Sequence, residues 1–172
     1  MTVTIMALMV IVAPKVIARF GPKAPTVAGL LVLAAGMAVL SLVRPDGSFL
    51  VDVLPASLIA AVGMSLAFIP SLGTAIQSAA PQDGGLASGI VNTSYQVGSA
   101  LGLAVMTALA TSQGADQLGN PVALTDGYSA AFLGAAAVAV LGALLAAALL
   151  RAPKASGAVD AAPGEEGELL AA

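Results

Sequence analysis

The side chains able to do chemistry in this chain are amides and hydroxyls set inside long apolar stretches. Ser88, Asn92, Tyr95, Gln96 and Ser99 fall within about a third of a helical circumference at ~100° per residue. Beside them Ser94, Gly98 and Gly102 recur every four residues, the small-xxx-small spacing that lets helix backbones touch. Upstream, Gly63, Pro70, Thr74 and Gln77 follow one another at intervals of 7, 4 and 3, which keeps them on one helix face. Ser71 and Ser78 flank that face, while Leu66 and Ala67 interrupt it. Neutral groups of this kind recognise a ligand through hydrogen bonds. They are poor nucleophiles and poor bases.

The residues of covalent and proton-transfer chemistry are scarce. The 172 residues include no Cys and no His, so no thiolate, no cysteine-built metal site and no imidazole shuttle is available. None of the nine acidic residues lies deep in an apolar stretch; Asp52 comes nearest, at the outer end of one. Asp83 sits in a tight turn, where it is expected to cap the following helix. Without a nucleophile and base, or paired carboxylates, the chain reads as a non-enzyme. No cofactor or metal is expected. A net charge of −3 offers no basic field for nucleic acid.

Composition identifies the medium around these groups. Hydrophobic residues make up 59%, charged residues 9% and aromatic residues 3%, with a mean hydropathy of +1.00. A soluble domain carries about 25% charged residues. The expected partner is therefore a lipid bilayer. A helix rises about 1.5 Å per residue, so about 20 residues cross a hydrocarbon core of about 30 Å. Five apolar runs meet or approach that length, at about residues 2–18, 25–43, 51–80, 85–111 and 128–150. The fold class is accordingly an all-α integral membrane domain of five transmembrane helices, residues 1–154. The runs are too long and too rich in Ala to alternate as barrel strands. Residues 112–127 form a polar loop, and the acidic stretch 155–172 has no apolar face and is expected to be a disordered tail.

The runs differ in kind. The second (Thr26–Val43) and fifth (Ser129–Leu150) carry no polar side chain beyond Ser or Thr and could face lipid all round. The third and fourth carry the polar faces. At about 1.5 Å per residue, Asn92 and Gln96 lie about 10 and 16 Å into the fourth run, near the bilayer midplane. An unpaired amide is costly there. Two readings follow: Thr74, Gln77, Asn92, Tyr95 and Gln96 line a water-filled cavity, or they bond neighbouring helices together. Pro70 is expected to kink the third run.

Basic residues set the orientation. Lys15, Arg19 and Lys23 lie between the first and second runs, and Arg151 and Lys154 follow the fifth. Five crossings put these on one side and leave Arg44 alone on the other. The expectation is a multi-pass protein of the plasma membrane, with its N-terminus outside and its C-terminus in the cytoplasm. The first run begins almost at Met1 with no basic n-region, as if the chain continued a longer one.

Two stretches carry a family resemblance. Arg19-Phe-Gly-Pro-Lys23, with Arg19, Gly21 and Lys23 as its core, resembles a cytoplasmic-loop element of the major facilitator superfamily, with Pro22 inserted. Ala80-Pro-Gln-Asp-Gly-Gly-Leu-Ala-Ser-Gly-Ile90, continued through Asn92, Gln96, Gly98 and Gly102 to Val105, resembles the corresponding stretch of the 14-helix drug:proton antiporters of the EmrB/QacA type. The resemblance covers about residues 1–154. It implies the last five helices of an incomplete C-terminal half, with the third and fourth lining a cavity and the second and fifth outside. It also implies export of small amphipathic or cationic molecules by alternating access, coupled to protons, together with N-terminal helices missing from this sequence. Tyr95 stands where an Arg or aromatic residue is common in that family, and Ser99 where Gly is common. The alternatives are a membrane scaffold or subunit that transports nothing, using the small-residue face for assembly, and a non-functional truncated remnant.

Overall fold

The structure is a computed structural model describing residues 21–45 and 47–150. The first run, Arg19 and the tail 155–172 lie outside the described residues. Four long helices are present, and no strand occurs among the described residues. They are α1 (Lys23–Leu40), α2 (Leu54–Gln77), α3 (Gly84–Ser112) and α4 (Pro121–Leu149). In sequence order they correspond to the second to fifth runs. Ala and Leu recur through all of them, and a helix satisfies its backbone donors and acceptors within its own segment, as lipid requires.

Local chemistry places each boundary. Gly21 adopts φ 69°, a left-handed conformation that costs an L-residue about 1–2 kcal/mol. The chain thereby turns into α1, where the Thr26 hydroxyl donates to the Pro22 carbonyl at 2.8 Å. After α1, the Asp52 carboxylate accepts from the Ser48 amide at 2.8 Å and closes a π-helical turn, Phe49–Val53. That turn feeds directly into α2. The third run is therefore a π turn followed by an α-helix. Pro70 is buried inside α2 and cannot donate a backbone hydrogen bond. The Ser71 and Thr74 hydroxyls donate to the carbonyls of Ala67 (2.6 Å) and Pro70 (2.7 Å). A 3-10 turn, Pro81–Asp83, leads into α3. Asp83 occupies the N-cap position, but its side chain makes no capping bond, contrary to the expected role.

The start of α4 differs from its expected position. The polar stretch was expected to run to residue 127, yet α4 begins at Pro121. Asn120 caps it, with Oδ1 accepting from the Val122 and Ala123 amides at 3.1 and 3.3 Å, and Pro121 fills the first helical position. An Asn-Pro pair is a helix-start signal that outweighs the polarity of Thr125 and Asp126.

The helices are neighbours round a ring in the order α1, α2, α3, α4, with α1 packed most extensively on α2 and then on α4. The α1–α2 seam is built from backbone. A Cβ added to Gly29 would come within 2.8 Å of the Gly63 carbonyl oxygen, and one on Gly36 within 2.6 Å of the Ala60 nitrogen. On α4, Ala136, Ala139 and Ala143 form the buried stripe. α1 thus buries Pro25, Thr26, Gly29, Ala34, Gly36 and Leu40 along its length. It does not face lipid all round, because its glycines allow a close approach that side-chain polarity alone does not reveal. Gly63, expected on a polar face, belongs to this seam.

Among the described residues, three helical stretches are long and apolar enough to span a bilayer: α1, Phe49–Gln77 and α4. α3 equals α4 in length at 29 residues, but Ser88, Asn92, Thr93, Ser94, Gln96 and Ser99 make it more polar. The protein is a multi-pass membrane protein with an all-helical fold.

Candidate functional site

α3 buries one residue, Ala110, in contrast to the other three helices. Its C-terminal end is seated on α4. Gly127 is buried against the Ala110 carbonyl oxygen and Ala115, and a Cβ on Gly134 would meet the side chains of Leu109 and Met106. Towards its N-terminus α3 leans on α2 through a thinner contact, and a cleft of about 760 Å³ opens between them.

α2 lends Phe68, Ser71, Leu72, Ala75 and Ile76 to this cleft. From α3, Ser88, Asn92, Ser94 and Tyr95 supply the polar groups, with Ile90 and Val91 between them. Phe68 and Tyr95 bridge the two helices edge to face, with ring centroids 6.0 Å apart and planes at 69°. Both rings remain partly open, at 39% and 55% exposure. The Ser71 hydroxyl is committed to its own helix, whereas the Asn92 amide makes no side-chain hydrogen bond among the described residues. Among the described residues no charged side chain lines the cleft.

The residues singled out in the sequence are only partly brought together. Asn92 and Tyr95 share the cleft with Ser94. Thr74 does not line it, and its hydroxyl is occupied by the Pro70 carbonyl. Gln77 is exposed, with its amide nitrogen 3.8 Å from where a Gly73 Cβ would sit, and Gln96 is exposed on another part of α3. Phe68 was missed, because its register against Tyr95 depends on how α2 and α3 dock. The Gly98 and Gly102 positions open onto empty space, as do Gly85 and Gly89. Gly85, Gly89 and Gly98, but not Gly102, join Ser94 in a shallow groove on the face of α3 that also carries Leu86, Ile90, Val97 and Leu101. Of the loop motif, Gly21 supplies the left-handed turn and Lys23 opens α1.

The chain is 34% identical over 146 residues to the puromycin resistance protein pur8 of Streptomyces alboniger, covering 79% of this chain and 29% of that protein. It is 37% identical over 118 residues to the cephamycin export protein CmcT of Amycolatopsis lactamdurans, covering 66% of this chain and 24% of the other. A multidrug resistance protein B homolog of Mycobacterium tuberculosis is 29% identical over 103 residues, covering 59% and 19%. The chain thus spans less than a third of the length of these relatives. No solved structure matches it. Residues 1–171 match the profile of the Major Facilitator Superfamily. The chain therefore belongs to the Major Facilitator Superfamily, whose members are multi-pass membrane transporters and not enzymes.

Proposed function

We propose that this chain forms part of a carrier that exports small amphipathic or cationic molecules across the plasma membrane, in exchange for protons, by alternating access. The observation that carries the reading is the cleft between α2 and α3, where an uncommitted amide and two aromatic rings open within an otherwise apolar helical frame. The printed names of the relatives, resistance and export proteins, favour the same direction.

In this reading Asn92 and Tyr95 form a neutral recognition wall. Thr74, Gln77 and Gln96 extend it towards water in other conformations of the transport cycle. Ser94, Gly98 and Gly102 pack against a further helix of the complete carrier. Asp52 and Asp83 lie at helix ends and Asp126 in the second turn of α4, none of them deep in a helix, so this reading assigns the proton-carrying group to helices other than these four. The basic residues favour an outside N-terminus and a cytoplasmic C-terminus. The cleft then lies in the cytoplasmic half of the membrane, where cargo would load.

The test is Asn92→Ala and Gln96→Ala in the complete carrier, expressed in a drug-sensitive host. Resistance should fall severalfold for part of a drug panel while the amount of protein in the membrane stays level. Unchanged resistance across the panel refutes the lining role. The open groove on α3 favours a second reading, a membrane subunit that assembles through its small residues and transports nothing. In that case the substitutions leave resistance untouched, and Gly98→Leu disrupts a complex visible by crosslinking.

A further inference from the structure

We propose that the α2–α3 cleft selects uncharged, ring-bearing molecules with an amide or carbonyl group, and that Phe68 is the residue that imposes the ring requirement. The inference rests on the transport reading and narrows its cargo.

Three features of the cleft converge on this class. Its volume of about 760 Å³ lies within the ~300–1,000 Å³ typical of sites for drug-sized ligands. Phe68 and Tyr95 present two partly open rings at an edge-to-face angle, an arrangement to which a further ring can add by stacking on one and meeting the edge of the other. Asn92 offers both a donor and an acceptor with neither engaged by a described side chain, which is the complement of an amide or of a carbonyl beside an N–H.

The same lining disfavours a cation. Leu72, Ala75, Ile76 and Val91 make the walls aliphatic, and no carboxylate lines the cleft among the described residues. A charge entering it would lose its hydration and gain only ring faces and an amide dipole in return. A neutral molecule loses little on entry and retains the ring and amide contacts. Selectivity then arises as a difference between two affinities, with the uncompensated desolvation acting against the charged competitor.

The experiment measures equilibrium binding to the purified complete carrier, using radiolabelled benzanilide, with two rings, as the neutral aryl amide and tetraphenylphosphonium, with four, as a permanent cation that lacks no ring contact benzanilide can make. Benzanilide should bind. Phe68→Ala and Asn92→Ala should each weaken it about tenfold, with Phe68→Leu in between because it keeps the bulk without the ring. Tetraphenylphosphonium should bind the wild-type carrier about tenfold or more weakly than benzanilide. Size-exclusion elution identical to wild type shows that each variant is folded, and Phe68→Leu serves if Phe68→Ala is not. Failure of benzanilide to bind, or wild-type binding of tetraphenylphosphonium as tight as that of benzanilide, overturns the assignment. Binding without any proton-driven export overturns the transport reading and leaves the cleft assignment standing. Export with benzanilide affinity unchanged in both variants does the reverse.

Discussion

Single residues matter most in this protein where they are smallest. Gly29, Gly36 and Gly63 set the α1–α2 distance, because an added methyl group at Gly29 or Gly36 would meet backbone atoms that cannot move aside. Overpacking of this kind typically costs about 1–3 kcal/mol. Gly29→Ala and Gly36→Ala are expected to lower the thermal unfolding temperature of the detergent-solubilised carrier by several degrees. Gly98→Ala is the informative contrast. Its Cβ would enter open space, and Ala favours a helix over Gly by about 0.8–1.0 kcal/mol. If the stripe packs against a further helix of the carrier, as proposed, Gly98→Ala should lower stability about as much as Gly29→Ala. Stability that holds or rises would mean that this face lies open in the carrier.

At the scale of elements, the chain places its helix boundaries through a few specific pairs. Asn120-Pro121 starts α4 by combining a side-chain acceptor with a ring that needs no donor. Asn120→Ala removes both capping bonds and is expected to cost about 1 kcal/mol. Amide hydrogen exchange should accelerate over residues 121–124 and remain unchanged in the middle of α4. Asp83→Ala, at the corresponding position of α3, should produce no such local change, since its carboxylate caps nothing. The four helices were legible as apolar runs because burial in lipid demands long uninterrupted hydrophobicity. Their ends were less legible, because a cap depends on backbone geometry at one position more than on composition over many. The π turn at Phe49–Val53 gave no signal of its own, since its residues read as ordinary apolar helix.

For the molecule as a whole, the arrangement is asymmetric. α1, α2 and α4 share a tight core of Ala and Gly, whereas α3 is anchored at its C-terminal end and open along most of its length. The helix with the most polar side chains is thus also the one with the least covered surface. A bilayer does not tolerate such a face without partners or water. The proposed orientation is testable at this scale. A tag after Ala172 should be protected from protease in intact cells and cleaved in inverted vesicles, and the opposite pattern would reverse the assignment of sides.

Much of this was written in residue types taken one at a time. The bilayer environment, the helical class, the superfamily and the polar character of α3 follow from hydropathy and short motifs, which every residue reports locally. The site is different in kind. Asn92 and Tyr95 could be picked out because polar groups are conspicuous in an apolar run. Phe68 could not, and the central place of α1 was hidden behind its plain apolar composition. Thr74 shares the polar character of the cleft residues in sequence, but its hydroxyl is bonded to its own helix. Which face of one helix meets which face of the next depends on glycine-set distances and on the register between segments far apart in sequence. These are properties of pairs of helices, and they come into being only when the helices dock.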